Sequence, residues 1–563
     1  MGHGRWLSWS GFAALAVLAA FLRFQQIDIQ WVTDDEWHAI HKVLSGTDYG
    51  EIALAVGGAD FSIPQTLAYK WLAEHGGINE IGMRLPMLVA GLALVIAGGA
   101  WGWRHFGVAA GLGFMSLLAI SPLLTYHSRV ARPYAITVLL AWGALLALAR
   151  WRREGRSGQG KATRWIWIYA ATAVMACWLH MAVAPFVLIP LAALVGVDTW
   201  AAWRGRSLAP LRASILPGLG VATAVALLAG LPMWLHRDAM ASRMGQDLPM
   251  LDTYAGVWFS WLGGDAPWLA LACLPLAVLG GIEWWRCRAD VLGLALVGIA
   301  ATLALIYLGR PALVHAPMVF ARYLLPAVPL LLLCITLGAL RVLRSAGKGV
   351  VAGFALLPAV MLAHGPGMEM LVRPNNFTLH WWHQLDYRVA HNPVRAVFST
   401  LPVSPFWQRL AALPPGSVHL AVAGRALPSF TQTDARWQGM HRQLLWNAQI
   451  TAYCAAAPVL GEAMPDSGFR LENAVSLADL DSLRRARIDY VVFNLGPREG
   501  DVKEILVRFF GRALSVDENH AVAVAMSAIP PQPCIERFAR EHGAAAYEDE
   551  DVVVFQMPGT GEK

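Results

Sequence analysis

Three consecutive carboxylates make the first polar segment of the chain a candidate for proton chemistry. Asp34, Asp35 and Glu36 follow closely after a long apolar stretch. Like charges raise each other's pKa, so such a run is costly to hold together above a membrane. One interpretation is structural, with an aspartate capping a helix whose first turn contains Glu36. The other is catalytic, with a carboxylate that takes a proton from an incoming hydroxyl group.

Two histidines follow these carboxylates at helical spacing. His38 and His41 are three positions apart, so on a helix they share one face. Together with Asp34 or Asp35 they could hold a divalent metal. The alternative is a pair of amphipathic side chains at the membrane interface, and because the spacing is common, it is the favoured interpretation.

Arginines at the ends of apolar stretches are the candidate anion ligands. Arg84 opens one stretch, Arg129 and Arg132 lie between two others, and Arg322-Tyr323 opens a fourth. A single arginine at a helix end commonly extends to the lipid headgroups. Guanidinium groups also bind phosphate through forked, charge-assisted hydrogen bonds. Several arginines on the side of the acidic segment therefore predict a lipid phosphate as ligand.

The elements that position these side chains are membrane-spanning helices. Of 563 residues, 56% are hydrophobic and only 15% are charged, and the mean hydropathy is +0.47. A soluble protein has about a quarter charged residues and few apolar runs of spanning length. We predict eleven spans, at 6–24, 84–103, 107–126, 133–150, 165–180, 183–199, 214–235, 266–285, 290–309, 323–341 and 348–365.

The distribution of basic residues orients this bundle. Arginine and lysine concentrate in alternate connections, at 150–164, 204–212, 286–288 and 341–348. The positive-inside rule places these connections and the N-terminus in the cytoplasm. The acidic segment then lies on the outer face of a bacterial inner membrane. Because the net charge of +6 is concentrated in short connections, it indicates topology and no nucleic-acid partner.

The last third of the chain predicts a separate α/β domain. Strand-like runs at 418–422, 490–493, 521–525 and 552–555 alternate with helix-like runs at 477–487 and 502–510. We therefore divide the chain into a transmembrane module at 1–365, whose first extracytoplasmic loop is 25–83, and an extracytoplasmic domain at 366–563. Cys454 and Cys534 would lie in an oxidising compartment, and the sequence leaves open whether they form a disulfide.

Four short stretches in a fixed order give the chain a family resemblance. They are Leu22-Arg23 with Asp34-Asp35-Glu36, Ile63-Pro64 and Tyr69 with Ile81–Pro86, Ser128–Ala135, and Arg322–Pro326 with Pro329. Each stretch is weak alone, but together with the topology they resemble the polytopic GT-C glycosyltransferases of family 39. That group includes protein O-mannosyltransferases and aminoarabinose transferases. The likeness covers about residues 5–340.

The resemblance implies that a hexosyl or pentosyl group moves from a polyprenyl-phosphate carrier to a lipid, glycan or protein acceptor outside the cytoplasm. The acidic pair of the first loop contains the catalytic carboxylate in that family. The matching pair is Asp35-Glu36, so Asp35 is the expected base and Asp34 its neighbour. The expected donor-phosphate ligands are Arg132 and Arg322, followed by Arg84, Arg129 and Tyr323. The family implies no required cofactor, and a divalent metal stays open.

Two other functions suit a membrane-spanning chain of this kind. A transporter or flippase of lipid-linked saccharide usually buries charges at mid-membrane and often has repeated halves. These spans are almost free of charge at their centres and show no repeat. A catalytically inactive chain with the same fold would be a membrane assembly partner. Charges at the outer edge favour interfacial chemistry, and hence the enzyme.

Overall fold

The computed structural model describes most of the helical part of the chain and the core of its C-terminal part. The residues described are 2–25, 27, 36, 43, 48–54, 62–75, 80–156, 162–205, 209–241, 244–262, 267–345, 361, 396–397, 400–423, 441–454, 474–496, 498–526 and 532–557.

Residue contacts group the chain into two compact units. The first comprises 1–27, 61–65 and 81–371, and the second comprises 28–60, 66–80 and 372–563. Of the predicted first loop, the described residues 36, 43, 48–54 and 66–75 are thus grouped with the C-terminal residues. The assignment of a transmembrane module and an extracytoplasmic domain stays a prediction.

All the elements that the structure describes up to residue 345 are helices. In order, the helices are α1 (Gly2–Phe24), α2 (Tyr49–Leu54), α3 (Ile63–His75), α4 (Glu80–Phe106), α5 (Val108–Ile120), α6 (Pro122–Arg129), α7 (Tyr134–Arg156), α8 (Ala162–Leu179), α9 (Ala184–Gly205), α10 (Ala209–Val225), α11 (Leu231–Leu235), α12 (Arg237–Ala241), α13 (Leu251–Leu262), α14 (Pro267–Gly309), α15 (Pro317–Tyr323) and α16 (Val328–Ser345). Among the described residues, six helical segments are long and apolar enough to cross a membrane, or seven if α5 and α6 form one bent span. The protein is therefore a multi-pass membrane protein.

Two predicted spans form one element in the structure. The predicted spans 266–285 and 290–309 both lie in α14, which is 43 residues long. A continuous helix of that length would measure about 65 Å, roughly twice the thickness of the hydrocarbon core. Arg288, with φ −148° and ψ 57°, interrupts the helix and divides it into two segments of near-spanning length. The predicted span 348–365 lies outside the described residues except for Met361.

Prolines explain two further differences from the predicted spans. The predicted span 107–126 consists of α5 and α6, bent by 56° just before Pro122. The predicted span 323–341 begins later than expected, because Arg322 and Tyr323 end the short helix α15. A 3₁₀ turn at Leu325–Ala327 then leads into α16. Proline lacks an amide hydrogen and clashes with the preceding turn, so it ends or bends a helix.

Small residues allow α14 and α16 to pack closely. A Cβ at Gly280 would overlap the carbonyl oxygen of Cys334, and a Cβ at Gly338 would overlap that of Leu276. Glycine on both helices lets the backbones approach within direct contact, which is how apolar helices associate in lipid. This pair of contacts fixes α16, and with it the position of the preceding α15, against the rest of the bundle.

The second unit is built on a six-stranded sheet with strand order β3-β2-β1-β4-β6-β5. The strands are β1 (His419–Ala423), β2 (Leu444–Gln449), β3 (Ala474–Ser476), β4 (Tyr490–Asn494), β5 (Tyr547–Glu548) and β6 (Val552–Gln556). The helices are α17 (Pro405–Ala411), α18 (Thr451–Cys454), α19 (Leu480–Arg485), α20 (Glu499–Phe510), α21 (Val516–Met526) and α22 (Gln532–His542). Strands β1 to β4 are parallel to one another, and β6 is antiparallel to β4 and β5.

Both faces of this sheet are covered. Successive residues of β1 point to opposite faces, so Ala421 joins the core that contains Phe538 of α22, whereas Leu420 joins the core that contains Trp407 of α17. Burial on both faces is typical of parallel strands and explains their continuous apolar sequences. The predicted α/β architecture is confirmed.

One predicted strand is wrong, and three strands, β2, β3 and β5, were not predicted. Strands at 418–422, 490–493 and 552–555 are confirmed as β1, β4 and β6, but 521–525 lies inside helix α21. The reason is a capping box at the start of that helix. The amide of Ser515 donates to Glu518 Oε2 at 2.7 Å, and the amide of Glu518 donates to Ser515 Oγ at 3.2 Å. Alternating Val and Ala imitate a strand, yet this local start signal directs them into a helix.

We expect α21 to lose protection in acid. Hydrogen bonds from Arg512, and a smaller contribution from the Ser515 amide, lower the pKa of Glu518 from 4.5 to about 2 despite the opposing effect of burial. A lowered carboxyl pKa contributes stability that is complete above about pH 4.5 and is lost as the pH falls toward 2. Hydrogen-exchange protection factors for α21 in the full chain should therefore fall between pH 5 and pH 2.5, after correction for intrinsic exchange.

Matched variants separate this effect from general acid unfolding. Glu518→Gln should lower protection at neutral pH and remove most of the acid dependence. Glu504→Gln is the control, because Glu504 pairs with Arg508 on α20 and is 62% exposed. An acid dependence that is the same in the wild type and in Glu518→Gln would contradict the prediction.

Candidate functional site

A fully buried arginine satisfies the broken end of α5. The Arg23 guanidinium donates to the carbonyl oxygens of Ala119 at 3.0 Å and Leu118 at 3.2 Å. Helices leave their last carbonyls without intrahelical partners, and Pro122 cannot supply the amide that would normally bond Leu118. Arg23 therefore stabilises the bend between α5 and α6.

Arg129, at the end of α6, in turn caps the last carbonyl oxygens of α1. Its Nη1 donates to the carbonyl oxygens of Leu22 at 3.3 Å, Arg23 at 3.0 Å and Gln25 at 3.0 Å. These carbonyls close the last turn of α1, where a cation also complements the helix dipole. Both guanidiniums are inaccessible to solvent, so this exchange of caps fixes α1 and α6 together.

Arg84, like Arg23 and Arg129, is a buried arginine that binds a backbone carbonyl oxygen. The side chain is fully buried in α4, and its Nη1 donates to the carbonyl oxygen of Ile27 at 3.1 Å. Ile27 lies three residues past the end of α1, between that helix and the acidic segment. The hydrogen bonds described for Arg84 and Arg129 thus go to backbone carbonyl oxygens. Their expected role as phosphate ligands stays a prediction.

Two more of the expected phosphate ligands, Arg132 and Arg322, meet at one aromatic ring. The guanidinium carbon of Arg132 lies 5.9 Å from the centre of the Tyr134 ring, and that of Arg322 lies 5.6 Å from the same centre. Both distances are within the range of a cation–π interaction. Arg132 precedes α7 and Arg322 lies at the end of α15, so residues 190 positions apart in sequence share one anchor. The structure therefore concentrates two positive charges at this end of the bundle.

Two histidines complete the surroundings of Tyr134. The His127 ring is 4.8 Å from it and the His180 ring is 5.1 Å from it, both edge to face. The charges of Arg322 and Arg132 both act on His180, which lies in the break after α8. The clustering of His180 with these arginines was not predicted. Its one sequence signal is a histidine between two apolar stretches, which fixes no distance to residues elsewhere in the chain.

Hydrogen bonds to backbone carbonyl oxygens fix the loop that contains Arg132. The amide of Arg132 donates to the carbonyl oxygen of Val130 at 2.7 Å, and Gln65 Nε2 donates to the carbonyl oxygen of Ala131 at 2.5 Å. The Arg132 side chain is 8% exposed. A preorganised, nearly buried guanidinium is suited to an anion, because little reorganisation accompanies binding.

Known structures resemble this arrangement of helices and sheet over their whole length. No family model and no curated protein matches the sequence. ArnT from Cupriavidus metallidurans, in the structure bound to undecaprenyl phosphate, aligns with a TM-score of 0.55 and 13% identity over 100% of both chains. The apo structure of that protein aligns with a TM-score of 0.54 and 13% identity, over 99% of this chain and 98% of the other. The chain has the GT-C fold. At this identity the likeness concerns the fold alone.

Within the GT-C fold, several predicted site residues fall outside the described part of the chain. Asp34, Asp35, His38 and His41 are among them, and their predicted roles stay predictions. Glu36 is described, and its side chain is fully buried. No group of three or more His, Cys, Asp or Glu in the described residues could hold a metal ion. The metal prediction therefore stays untested.

The remaining predicted residues lie at two separate places. Tyr323 is the half-buried last residue of α15, next to Arg322. In the second unit, Cys454 at the end of α18 and Cys534 in α22 form a disulfide, with Cα atoms 5.1 Å apart. It joins two helices of the α/β unit across 80 positions of sequence.

Proposed function

We propose that this protein transfers a sugar from a polyprenyl-phosphate donor to an acceptor on the outer face of the membrane. The observation that carries the proposal is the pair of guanidiniums, from Arg132 and Arg322, at the Tyr134 ring. A lipid-linked donor presents its phosphate at the membrane surface, where such a pair can bind it with forked hydrogen bonds.

The fold supports the choice of donor. ArnT from Cupriavidus metallidurans, which aligns with this chain over the whole length of both, has a structure bound to undecaprenyl phosphate. A polyprenyl phosphate combines an apolar chain, which suits a bundle of membrane-spanning helices, with an anionic group, which suits the two arginines. We infer that the donor of this chain belongs to the same chemical class.

The reaction that fits these groups is a single displacement at the anomeric carbon. An acceptor hydroxyl oxygen bonds to that carbon while the bond from the carbon to the phosphate oxygen breaks. Asp35 accepts the hydroxyl proton, and the phosphate leaves with the electron pair of the broken bond. Attack opposite the leaving group inverts the anomeric centre. An ordinary aspartate suffices as base when the transition state has oxocarbenium character, since the hydroxyl attacks late.

The arginines act on the leaving group. Negative charge grows on the phosphate as the glycosidic bond breaks, and fixed guanidiniums in a site of low dielectric constant stabilise that charge. Because Arg132 and Arg322 both lie at the Tyr134 ring, both guanidiniums are close enough to each other to bind a single phosphate. Arg84, Arg129 and Tyr323 would then support this site from the backbone that they hold or adjoin.

The distribution of basic residues supports the proposed face. Tyr134 begins α7, whereas the basic stretch 150–164 begins in the last turns of that helix and continues past its far end at Arg156, about 30 Å away at roughly 1.5 Å per residue. The positive-inside rule assigns that far end to the cytoplasm. The cluster around Tyr134 and the acidic segment then belong to the outer leaflet of a bacterial inner membrane.

The experiment follows the fate of the donor phosphodiester. Purified full-length protein is reconstituted with undecaprenyl phosphate carrying radiolabelled hexose or aminopentose, and a delipidated cell-envelope fraction is added as acceptor. We expect free undecaprenyl phosphate to appear together with label in the acceptor. Donor that crosses the bilayer with its phosphodiester intact would establish a flippase instead. If neither the hexose donor nor the aminopentose donor is cleaved or moved across the bilayer, the result would favour the hypothesis of an inactive assembly partner.

A further inference from the structure

A second cluster of arginines lies at the other end of the helical bundle. Helix α4 ends with Arg104 and His105, helix α7 carries Arg150 and Arg153 in its last turns, and Arg288 interrupts α14. Arg288 Nη1 lies 3.1 Å from His105 Nδ1, and α4 contacts α7 through Trp101 and Trp142, whose ring centres are 5.5 Å apart. The positive charges of all four arginines act on the His105 side chain at this meeting point. Three helices that are distant in sequence thus bring four cations together.

Carboxylates offset two of these charges. Arg288 donates to both oxygens of Asp290, at 3.0 and 3.2 Å, and Arg150 donates to Glu154 at 2.8 Å. A guanidinium cannot accept a hydrogen bond, so Arg288 Nη1 also donates to His105 Nδ1 at 3.1 Å. His105 therefore accepts a hydrogen bond at Nδ1 and offsets none of the positive charge.

The other two charges are in excess. Within the part of the chain that the structure describes, neither Arg104 nor Arg153 has a hydrogen-bond or ion-pair partner, and both are exposed. The neighbouring Arg152 shows the contrast, because it donates to both oxygens of the buried Asp198. Ion pairs thus order two arginines of the cluster, and the other two are exposed.

The depth of this cluster matches the headgroup layer. Arg84 near the start of α4 and Arg104 near its end are about 30 Å apart along the helix, which is roughly the thickness of the hydrocarbon core. Aromatic side chains mark the same level. Trp101 contacts Trp284 with ring centres 6.2 Å apart, and the Arg288 guanidinium lies 5.9 Å from the Trp101 ring. Tryptophan is enriched where the membrane meets water.

We propose that Arg104 and Arg153 bind the phosphate of an anionic phospholipid in the leaflet opposite the Tyr134 cluster. Two unpaired guanidiniums at headgroup depth suit a phosphodiester, whose acyl chains would lie along the apolar surface of the bundle. The ion pairs of Arg150 and Arg288 hold the surrounding helix ends in place. This site is independent of the transfer reaction, since it lies at the other end of the helices that carry the reaction site.

The test measures lipid retention by the full-length protein. Native mass spectrometry is used to titrate delipidated protein with dioleoylphosphatidylglycerol and, separately, with dioleoylphosphatidylcholine. Each basic side chain near an anionic surface contributes roughly fivefold in affinity. We therefore expect the double variant Arg104→Gln/Arg153→Gln to bind phosphatidylglycerol roughly thirtyfold more weakly than the wild type, with phosphatidylcholine binding unchanged.

The matched control removes two charges from the same face outside the cluster. Arg204 ends α9 and is exposed, and Arg344 on α16 is 67% exposed. Arg204→Gln/Arg344→Gln should keep wild-type binding of phosphatidylglycerol. An equal loss in both double variants would overturn the proposal in favour of diffuse attraction. Displacement of phosphatidylglycerol by an equal concentration of inorganic phosphate would overturn the choice of a lipid and indicate a site for a free anion.

Discussion

Asp35→Asn is expected to reduce sugar transfer to about one-thousandth of the wild-type rate. A positioned general base contributes roughly 10²–10⁴ in rate, and asparagine keeps the size of the side chain but cannot accept the proton. Affinity for undecaprenyl phosphate should change little, because the base acts on the acceptor hydroxyl. The measurement is the initial rate of undecaprenyl phosphate release by reconstituted protein, with donor binding determined in parallel by native mass spectrometry.

The neighbouring carboxylate provides the control for this result. Asp34→Asn removes one negative charge from the same segment, so it reproduces any general electrostatic effect without removing the proposed base. We expect it to retain most of the activity. If Asp34→Asn is the inactive variant and Asp35→Asn is not, the base has been assigned to the wrong aspartate. Full activity in both variants would remove the catalytic role of the acidic segment altogether.

Arg132→Gln and Arg322→Gln are each expected to slow transfer by about 10², with the larger part of the loss in kcat. Removing one preorganised donor to developing negative charge typically costs 10²–10³ in rate. Both guanidiniums lie within 6 Å of the Tyr134 ring centre, at 5.9 and 5.6 Å. Because they are proposed to act on one phosphate, the double variant should lose less than the product of the two single effects.

Substitution by lysine gives a sharper version of the same test. Arg132→Lys keeps the charge but loses the planar fork, so an intermediate rate is expected if bidentate binding matters. Arg237→Gln serves as the control, since its side chain is 61% exposed and lies 3.9 Å from Asp238. Wild-type kinetics in Arg132→Gln and Arg322→Gln would contradict a role for this pair at the donor phosphate.

Substitution of a buried arginine that caps a helix should lower the stability of the protein, whereas substitution of a proposed phosphate ligand should lower the transfer rate. Arg129 holds three carbonyl oxygens at the end of α1 from a site closed to solvent. Arg129→Gln would leave buried carbonyls without donors, at a cost of about 3 kcal/mol. The protein should then unfold more readily in detergent, whereas Arg132→Gln should leave stability near the wild-type value.

The part of the fold that was predictable is the part set by neighbours in sequence. An apolar run of about 20 residues must become a helix in lipid, because its backbone polar groups have no other partners there. The same locality let β1, β4 and β6 be predicted from their apolar runs. It also explains the error at 521–525, where five residues of alternating size imitate a strand and the deciding bonds come from Ser515 and Glu518, just outside that run.

In the candidate site, too, some features follow from local sequence and others only from the packing of helices. The sequence by itself placed several arginines at the ends of apolar stretches, and it predicts that they share one membrane face with an acidic segment. It could not say which of them serve the backbone. Arg23 bonds carbonyls 95 and 96 positions away, and Arg129 bonds carbonyls up to 107 positions away. Only the packing of α1 against α5 and α6 brings those atoms within 3.3 Å, because hydrogen bonds depend on distances that sequence spacing leaves free. The same packing leaves Arg132 and Arg322 together at Tyr134.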